Sequence, residues 1–550
     1  MRNSAKATIS AVVCFVCTCN LSLADTRYVD ISNPTPAVPY TTWATAANDI
    51  QPAVSIAAAG DTVLIADGTY NITSQIKIYK TLSVKSVNGP GHVIIDANSN
   101  CRVLTLSSGT GSISLEGLTF TGGYADEAAT RGGGIYAFGN NNVFISNCIV
   151  ENNESPGTAG GIGIFAGNGK VCSATVQDCI IRNNVADYLG GGIQTVIWGG
   201  ASGSILIKNC LVQSNRSSNN GGGLQLKMNE GANGSITVED CTINENTSAL
   251  DGGGLLCNAQ SGSINVSRCL FFGNETARDG GGVRLLHNSM LTDTLIAGNN
   301  AGNKGGGEYG GLEGSSYIIN CTIVSNQAPV GGGVSRSTIL NSIVYGNTAG
   351  SNPNITADSD VAFSCSPQLT AGVNGNINSD PKFIDPLSGN YRLLMTSPCL
   401  DSGTNAFVYS LSDLDGSTRI RDGNLDGTPI VDMGAYELQA STITIDIKPG
   451  SDTNPINLKS KGQLSVAIIT TEGFDAPAVA PATVRFAGAS PVHTAYEDVD
   501  QDGDIDLLLH FLTQELQLSD TSTQAYLIGQ TPNGQILMGV DTVMVVPKKR

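Results

Sequence analysis

Over most of its length the chain alternates apolar and polar positions in short runs. The stretch "SITVEDCTI", residues 235–243, carries Ile236 and Val238, then Cys241 and Ile243, around a bend. A further run, "GGGLQL" at 221–226, opens on three glycines before its first apolar residue. The period is two, not 3.6, so each run predicts a short strand between tight turns rather than a helix. Strands this short do not bury a core by themselves and must stack on equivalents elsewhere in the chain.

Those equivalents are written into the sequence. Cysteines recur at Cys148, Cys179, Cys210, Cys241, Cys269 and Cys321, and an asparagine follows each by five residues, as in Asn184, Asn215, Asn246 and Asn274. Thr294 and Ser342 take the cysteine place in two more units that keep Asn299 and Asn347. Glycine runs start at 132, 160, 190, 221, 252, 280, 305 and 331, a spacing of 25 to 31 residues. A period of this length with several locked features predicts a solenoid. Its coils stack in parallel, with ladders of identical residues inside. Cysteine serves as a small filler, asparagine bonds along the axis to turn backbone groups, and glycine admits positive φ and close approach of coils.

The phrase built from these glycine runs, the Asn-Cys pairs and the following asparagines resembles the repeats of right-handed parallel β-helix, pectin-lyase-like exported bacterial proteins, including the polymorphic outer-membrane proteins. The resemblance implies an all-β fold: a right-handed parallel β-helix solenoid with an N-terminal cap over 25–350, in which residues 43–58 form a capping helix, followed by a small antiparallel β-domain. Residues 351–440 are then terminal coils and a cap, closed by Asp432, Gly434, Ala435 and Glu437 of "DMGAYE". Cys365 and Cys399 flank that cap and are the pair expected to form a disulfide, with two thiols as the alternative. Residues 441–550 resemble a module appended to bacterial secreted proteins, through "IDIKPGS", "VAIITTEGFDA" and "EDVDQDGDIDLLLHF".

Composition narrows the function. The 550 residues carry a net charge of −18, with 67 glycines and only four histidines. Residues 1–24 read as a cleaved signal peptide, with Arg2 and Lys6 before an apolar run and Ser22-Leu23-Ala24 as the cleavage site. Losing those two cations takes the charge from −18 to −20. Such an acidic chain argues against nucleic acid as a partner. No later stretch is apolar enough for a transmembrane segment, so the expected location is secreted or at the cell surface.

Two candidate sites follow. Asp498, Asp500, Asp502, Asp504 and Asp506 alternate around Gly503, the spacing of a DxDxDG loop that supplies hard oxygen ligands to Ca²⁺; Leu509 stands where a full EF-hand has glutamate. On the solenoid, aligning the glycine runs places Tyr136, Gln194, Gln225, Leu256, Arg284, Glu308 and Ser335 in one outward column. Lys227, Arg284 and His287 are the compact set with acid–base potential, and Tyr136, Phe138 and Trp198 offer flat rings to sugar faces. Asp251 and Asp279, just before successive glycine runs, are placed to share a cation. The readings that result are a non-catalytic solenoid binding a polysaccharide or cell-surface glycan, and a lyase or hydrolase of acidic polysaccharide. Fold by itself does not choose between them.

Overall fold

The computed structural model describes residues 24–546 apart from 108, 110, 126–130, 140, 312–315, 424–426 and 534. The expected signal peptide, residues 1–24, lies almost wholly outside the described residues. The chain divides into two compact units, Met1–Ser379 and Asp380–Arg550, so the coils run on past residue 350 and the cap segment groups with the C-terminal module.

The first unit is a parallel β-helix. A middle coil has four strand positions: Leu224–Met228, Asn233–Glu239, Thr242–Asn244 and Thr247–Ser248. The first two positions build a 21-stranded sheet, the third an 11-stranded sheet and the fourth an 8-stranded sheet. Stacking is parallel and in register, Ile193 on Leu224 and Leu224 on Leu255. Alternation sends every second side chain inward, and Val150, Ile181, Val212 and Ile243 are fully buried on the third sheet.

The corners carry the repeat. Between the second and third strands sits the cysteine. The Cys241 thiol donates to the Glu239 carbonyl at 3.2 Å and accepts from the Cys210 amide at 3.4 Å. In the next coils the Thr294 and Ser342 hydroxyls accept from the Cys269 and Cys321 amides at 3.2 and 3.0 Å. The position therefore selects a small side chain that both donates and accepts, which a filler role would not require. Between the third and fourth strands sits the asparagine. Asn246 Nδ2 donates to the Val212 carbonyl on one side and to Asn274 Oδ1 on the other. Before the first strand comes the glycine bend. Gly252 has φ +64°, and a Cβ on Gly253 would lie 2.4 Å from the Gly281 carbonyl oxygen, so a larger residue would push the coils apart.

The N-terminal end differs from expectation. A 3₁₀ turn at Trp43–Thr45 and an α-helix at Ile50–Ile56 replace one helix over 43–58. Ala47 between them is drawn into a bridge with Val29, its amide donating to the Tyr28 carbonyl. The helix buries Ile50, Ala53 and Val54 on one face.

No disulfide joins the eleven described cysteines. Ser364, whose hydroxyl accepts from the Ser342 amide at 3.0 Å, occupies the corner column; Cys365 is the next residue, bridging Ile343, and its thiol donates to the Ser379 carbonyl at 3.2 Å. The expected Cys365–Cys399 bond is not formed: both residues are thiols. Burial pushes the Cys172 thiol up to about 12, which keeps it protonated.

The second unit holds the predicted closing segment. Asp432, Glu437 and Asp413 are buried and cap backbone amides: Asp432 accepts from Asp401 and Leu438, Glu437 from Asp432, and Asp413 from Glu437. Arg419, also buried, donates to the Gly434 carbonyl and lies 3.8 Å from Glu437. Two four-stranded sheets follow, the second in the order Thr444–Ile447, Gln463–Ile469, Asp506–Leu512, Pro491–Glu497. Val466, Ile468, Phe486, Leu509, Phe511 and Leu527 form their common core.

Candidate functional site

On the outer face of the first-strand sheet one column runs Tyr136, Gly163, Gln194, Gln225, Leu256, Arg284, Tyr309 and Ser335. Two residues on lie Phe138, Phe165, Val196, Lys227, Asn258 and Leu286. The expected column is corrected at one place. Tyr309, not Glu308, follows Arg284; Glu308 pairs with Val283 and Val334 and points into the interior. There Ser337 donates its hydroxyl to the carboxyl, and burial raises Glu308 well above the usual carboxylate range. It is a buried acid with a structural partner, not a groove residue.

Tyr136 and Phe138 lie near parallel with centroids 6.1 Å apart, Phe165 is 5.7 Å from Tyr136, and Trp198 is 6.3 Å from Phe138. The structure therefore gathers the three predicted rings and adds Phe165. Two glycines make the seats. A Cβ on Gly163 would lie 2.6 Å from the Phe165 ring, and one on Gly167 would lie 2.3 Å from the Trp198 indole. Ala159, at φ +59°, takes the first position of the glycine bend in this coil, and its Cβ would lie 3.1 Å from a Cβ on Gly163, a second reason for glycine there. The Arg102 and Arg131 guanidinium groups lie over Tyr136 and Phe165 at 4.7 and 5.1 Å.

Beside the rings a groove of about 310 Å³ is lined by Arg131, Thr158, Phe165, Leu189, Gln194, Val196, Trp198, Lys227 and Asn229. Gln194 is 2% exposed and donates through Nε2 to Gln225 Oε1 at 2.8 Å. Its Oε1, Thr158 Oγ1 and Asn229 Oδ1 are buried and find no hydrogen-bond partner among the described residues. A buried polar atom left this way costs about 1–3 kcal/mol, so three along one groove call for an explanation. Sequence reasoning placed Gln194 in the outward column but named neither Thr158 nor Asn229, since only folding shows which polar atom lacks a partner.

The acid–base candidates divide. Lys227 lines this groove with Trp198. Arg284 lies two coils on, and its Nη1 is 2.7 Å from Asp251 and 3.5 Å from Asp279, with the guanidinium over the Tyr309 ring at 4.9 Å. Arg278 bonds Asp251 as well. The cation that Asp251 and Asp279 share is thus guanidinium. His287 lies in the middle of the strand Val283–Thr292, at φ +59°, paired with Ala259, whose side chain is buried. Neither Arg284 nor His287 lines the groove.

In the second unit Asp498, Asp500 and Asp506 bring carboxylate oxygens within 4.8 Å of one another. Asp506 is buried at the start of its strand, held by the Thr470 and Val499 amides at 2.8 and 2.9 Å. Gly503, at φ +104°, turns the loop and donates to Asp498. Asp502 instead caps the Asp504 amide, and Asp504 is not in the cluster. Leu509 packs in the core, so Asp506 is the loop's last acidic ligand candidate. Three carboxylates of this kind fit a hard cation.

A family model, the right handed beta helix region, matches residues 108–301. No match was found among curated proteins. Among solved structures the chain is similar to a crystal structure of pectate lyase Pel9A, at 16% identity over 76% of this chain and 98% of that one, with TM-score 0.42. It is also similar to the complex structure of XylC with xylose, at 9% identity over 84% and 91% with TM-score 0.32, and to a rhamnogalacturonan lyase, at 14% over 66% and 91% with TM-score 0.29. No described helix is long and apolar enough to cross a membrane. The stacked parallel sheets and the family model together make the first unit of the chain a right-handed parallel β-helix.

Proposed function

We propose that this chain is an exported or cell-surface solenoid that binds a saccharide in the groove beside Trp198, with Ca²⁺ held in the loop of its C-terminal module. The observation that carries the reading is the juxtaposition of a seated aromatic cluster with three buried polar atoms that lack partners. A pyranose offers an apolar face to a ring and hydroxyl donors to Gln194, Thr158 and Asn229. Those donors would remove an existing desolvation cost once side-chain rotation brings the buried oxygens to the groove surface. Lys227 and Arg131 supply positive charge at the same groove in an otherwise acidic chain, which favours an acidic saccharide.

Lys227 also keeps a second reading, a polysaccharide lyase, because it is a base beside the groove. With Arg284 held by Asp251 and His287 outside the groove, binding without turnover is the reading we favour. Titration calorimetry with oligogalacturonate and with a neutral oligosaccharide tests it, alongside an absorbance assay for unsaturated products. Saturable binding that Trp198→Ala abolishes, with no product, supports the binding function. Product that Lys227→Ala abolishes establishes the lyase, and no binding of either sugar removes both readings.

A further inference from the structure

The C-terminal module carries a second group of ligand-type side chains, remote in sequence from the saccharide groove and built from nitrogen rather than oxygen donors. His493 and His510 stand directly opposite each other on adjacent antiparallel strands. Their rings lie 5.4 Å apart between centroids and within 12° of parallel. On the other side of His510 its partner is Ser465, whose Oγ is 3.0 Å from His510 Nδ1. His493 is exposed and His510 half-buried. The chain has four histidines in 550 residues, so two of them in one cross-strand pair are an arrangement to be explained.

The chemistry of the pair is specific. Imidazole nitrogen suits borderline divalent metals, whereas the oxygen-only loop at Asp498 suits Ca²⁺. Ser465 occupies Nδ1 of His510 and so leaves Nε2 for a ligand, the kind of outer partner that orients metal-binding histidines. Metal–nitrogen bonds of about 2.0–2.1 Å require the two donor nitrogens to lie closer than the ring centroids now do. Rotation of the exposed His493 side chain supplies that movement without disturbing the sheet. We propose that His493 and His510, the latter oriented by Ser465, form a surface site for a borderline divalent metal such as Cu²⁺ or Zn²⁺, each imidazole giving one nitrogen and water completing the coordination.

The test uses the full chain with Ca²⁺ in excess, so that the aspartate loop does not contribute, and Cu²⁺ as the probe. Calorimetry is expected to show one site, and electron paramagnetic resonance a signal from two nitrogens. His493→Gln and His510→Gln should each weaken binding by at least about tenfold and remove one nitrogen from the signal, and Ser465→Ala should weaken it by about tenfold with both nitrogens kept. A two-nitrogen signal that survives His493→Gln, an affinity unchanged by that substitution, or no two-nitrogen signal in the wild type would overturn the site. Should His510→Gln fail to fold, the exposed His493 substitution decides the matter.

Discussion

Asn246 and Asn274 occupy the same corner of successive coils, and Asn274 Oδ1 accepts from both the backbone amide and the side-chain amide of Asn246, each at 3.0 Å. The same pair of bonds links Asn215 to Asn246, so each asparagine serves the coil before it and the coil after it.

Asn246→Leu therefore removes the acceptor of the Asn215 backbone amide and of one Asn215 side-chain N–H, while the Asn215 bond to the Ile181 carbonyl stays, and it removes the side-chain donor to the Val212 carbonyl. The cost is about 1–3 kcal/mol for each buried group orphaned. Calorimetric melting of the first unit should shift well below wild type; an unchanged transition would show that the ladder carries no stability.

The cysteine corner makes a discriminating pair of variants. Cys241→Ser keeps a donor to Glu239 and an acceptor for the Cys210 amide, as Ser342 does for Cys321. Cys241→Val keeps the volume and loses both bonds. Serine is expected within about 1 kcal/mol of wild type, and valine to cost about 1–3 kcal/mol more. Urea titration of the two variants measures the difference, and equal midpoints would return the corner to a filler role.

At the groove, Gly167→Ala should act like a binding mutation although residue 167 has no side chain to contact a ligand, because the added Cβ displaces the Trp198 indole. Gln194→Leu should also weaken saccharide binding, by roughly tenfold for one lost hydrogen bond of about 1.4 kcal/mol. Lys227→Ala should weaken an acidic oligosaccharide more than a neutral one. Equal loss for both sugars would show that Lys227 contributes packing and not charge.

The closing segment of the second unit predicts a pH dependence. Burial, joined for Glu437 by the Asp432 charge, raises Asp432 to about 7 and Glu437 to about 9. Both folded values lie above the unfolded carboxyl range near 4, so the folded state favours the protonated acids. Their contribution is fully present below that range and is lost as pH rises through about 7 and about 9. Melting of the second unit should thus be lower at the alkaline end, and Glu437→Gln should flatten the profile. A wild-type profile that rises with pH over this window would refute the assignment.

Calcium should stabilise the second unit, by about 2.7 kcal/mol at a hundredfold excess over the dissociation constant. Desolvation, then the charges of Asp502, Asp506 and Asp498, raises the Asp500 carboxyl, a repulsion that a bound cation relieves. Asp500→Ala and Asp498→Ala should abolish the melting shift, while Asp504→Ala, outside the three-residue cluster, should preserve most of it. A shift that is absent in wild type, or equal in all three variants, would leave an acidic turn.

Much of this was legible before folding. The Cys-to-Asn spacing and the glycine runs carry the coil period, and a parallel in-register stack puts equal positions of successive coils above one another. That is enough to place Cys241, Asn246 and Gly252 at corners and Tyr136, Phe138 and Trp198 on an outer face. The alternating aspartates likewise located the loop at 498–506 and its bend at Gly503. The column failed at Glu308, where one residue of register turns an outward position inward.

What the tertiary structure decided are the relations that run between coils and between strands. Whether Gln194 keeps an orphaned oxygen depends on Gln225 one coil away. Whether Arg284 is available depends on Asp251 and Asp279, and which aspartates converge depends on the amides that hold Asp506. Periodicity determines which face a residue occupies, because backbone geometry repeats. It is silent on which neighbour a side chain engages, because that choice is made by rotamers, distances and competing partners across the stack.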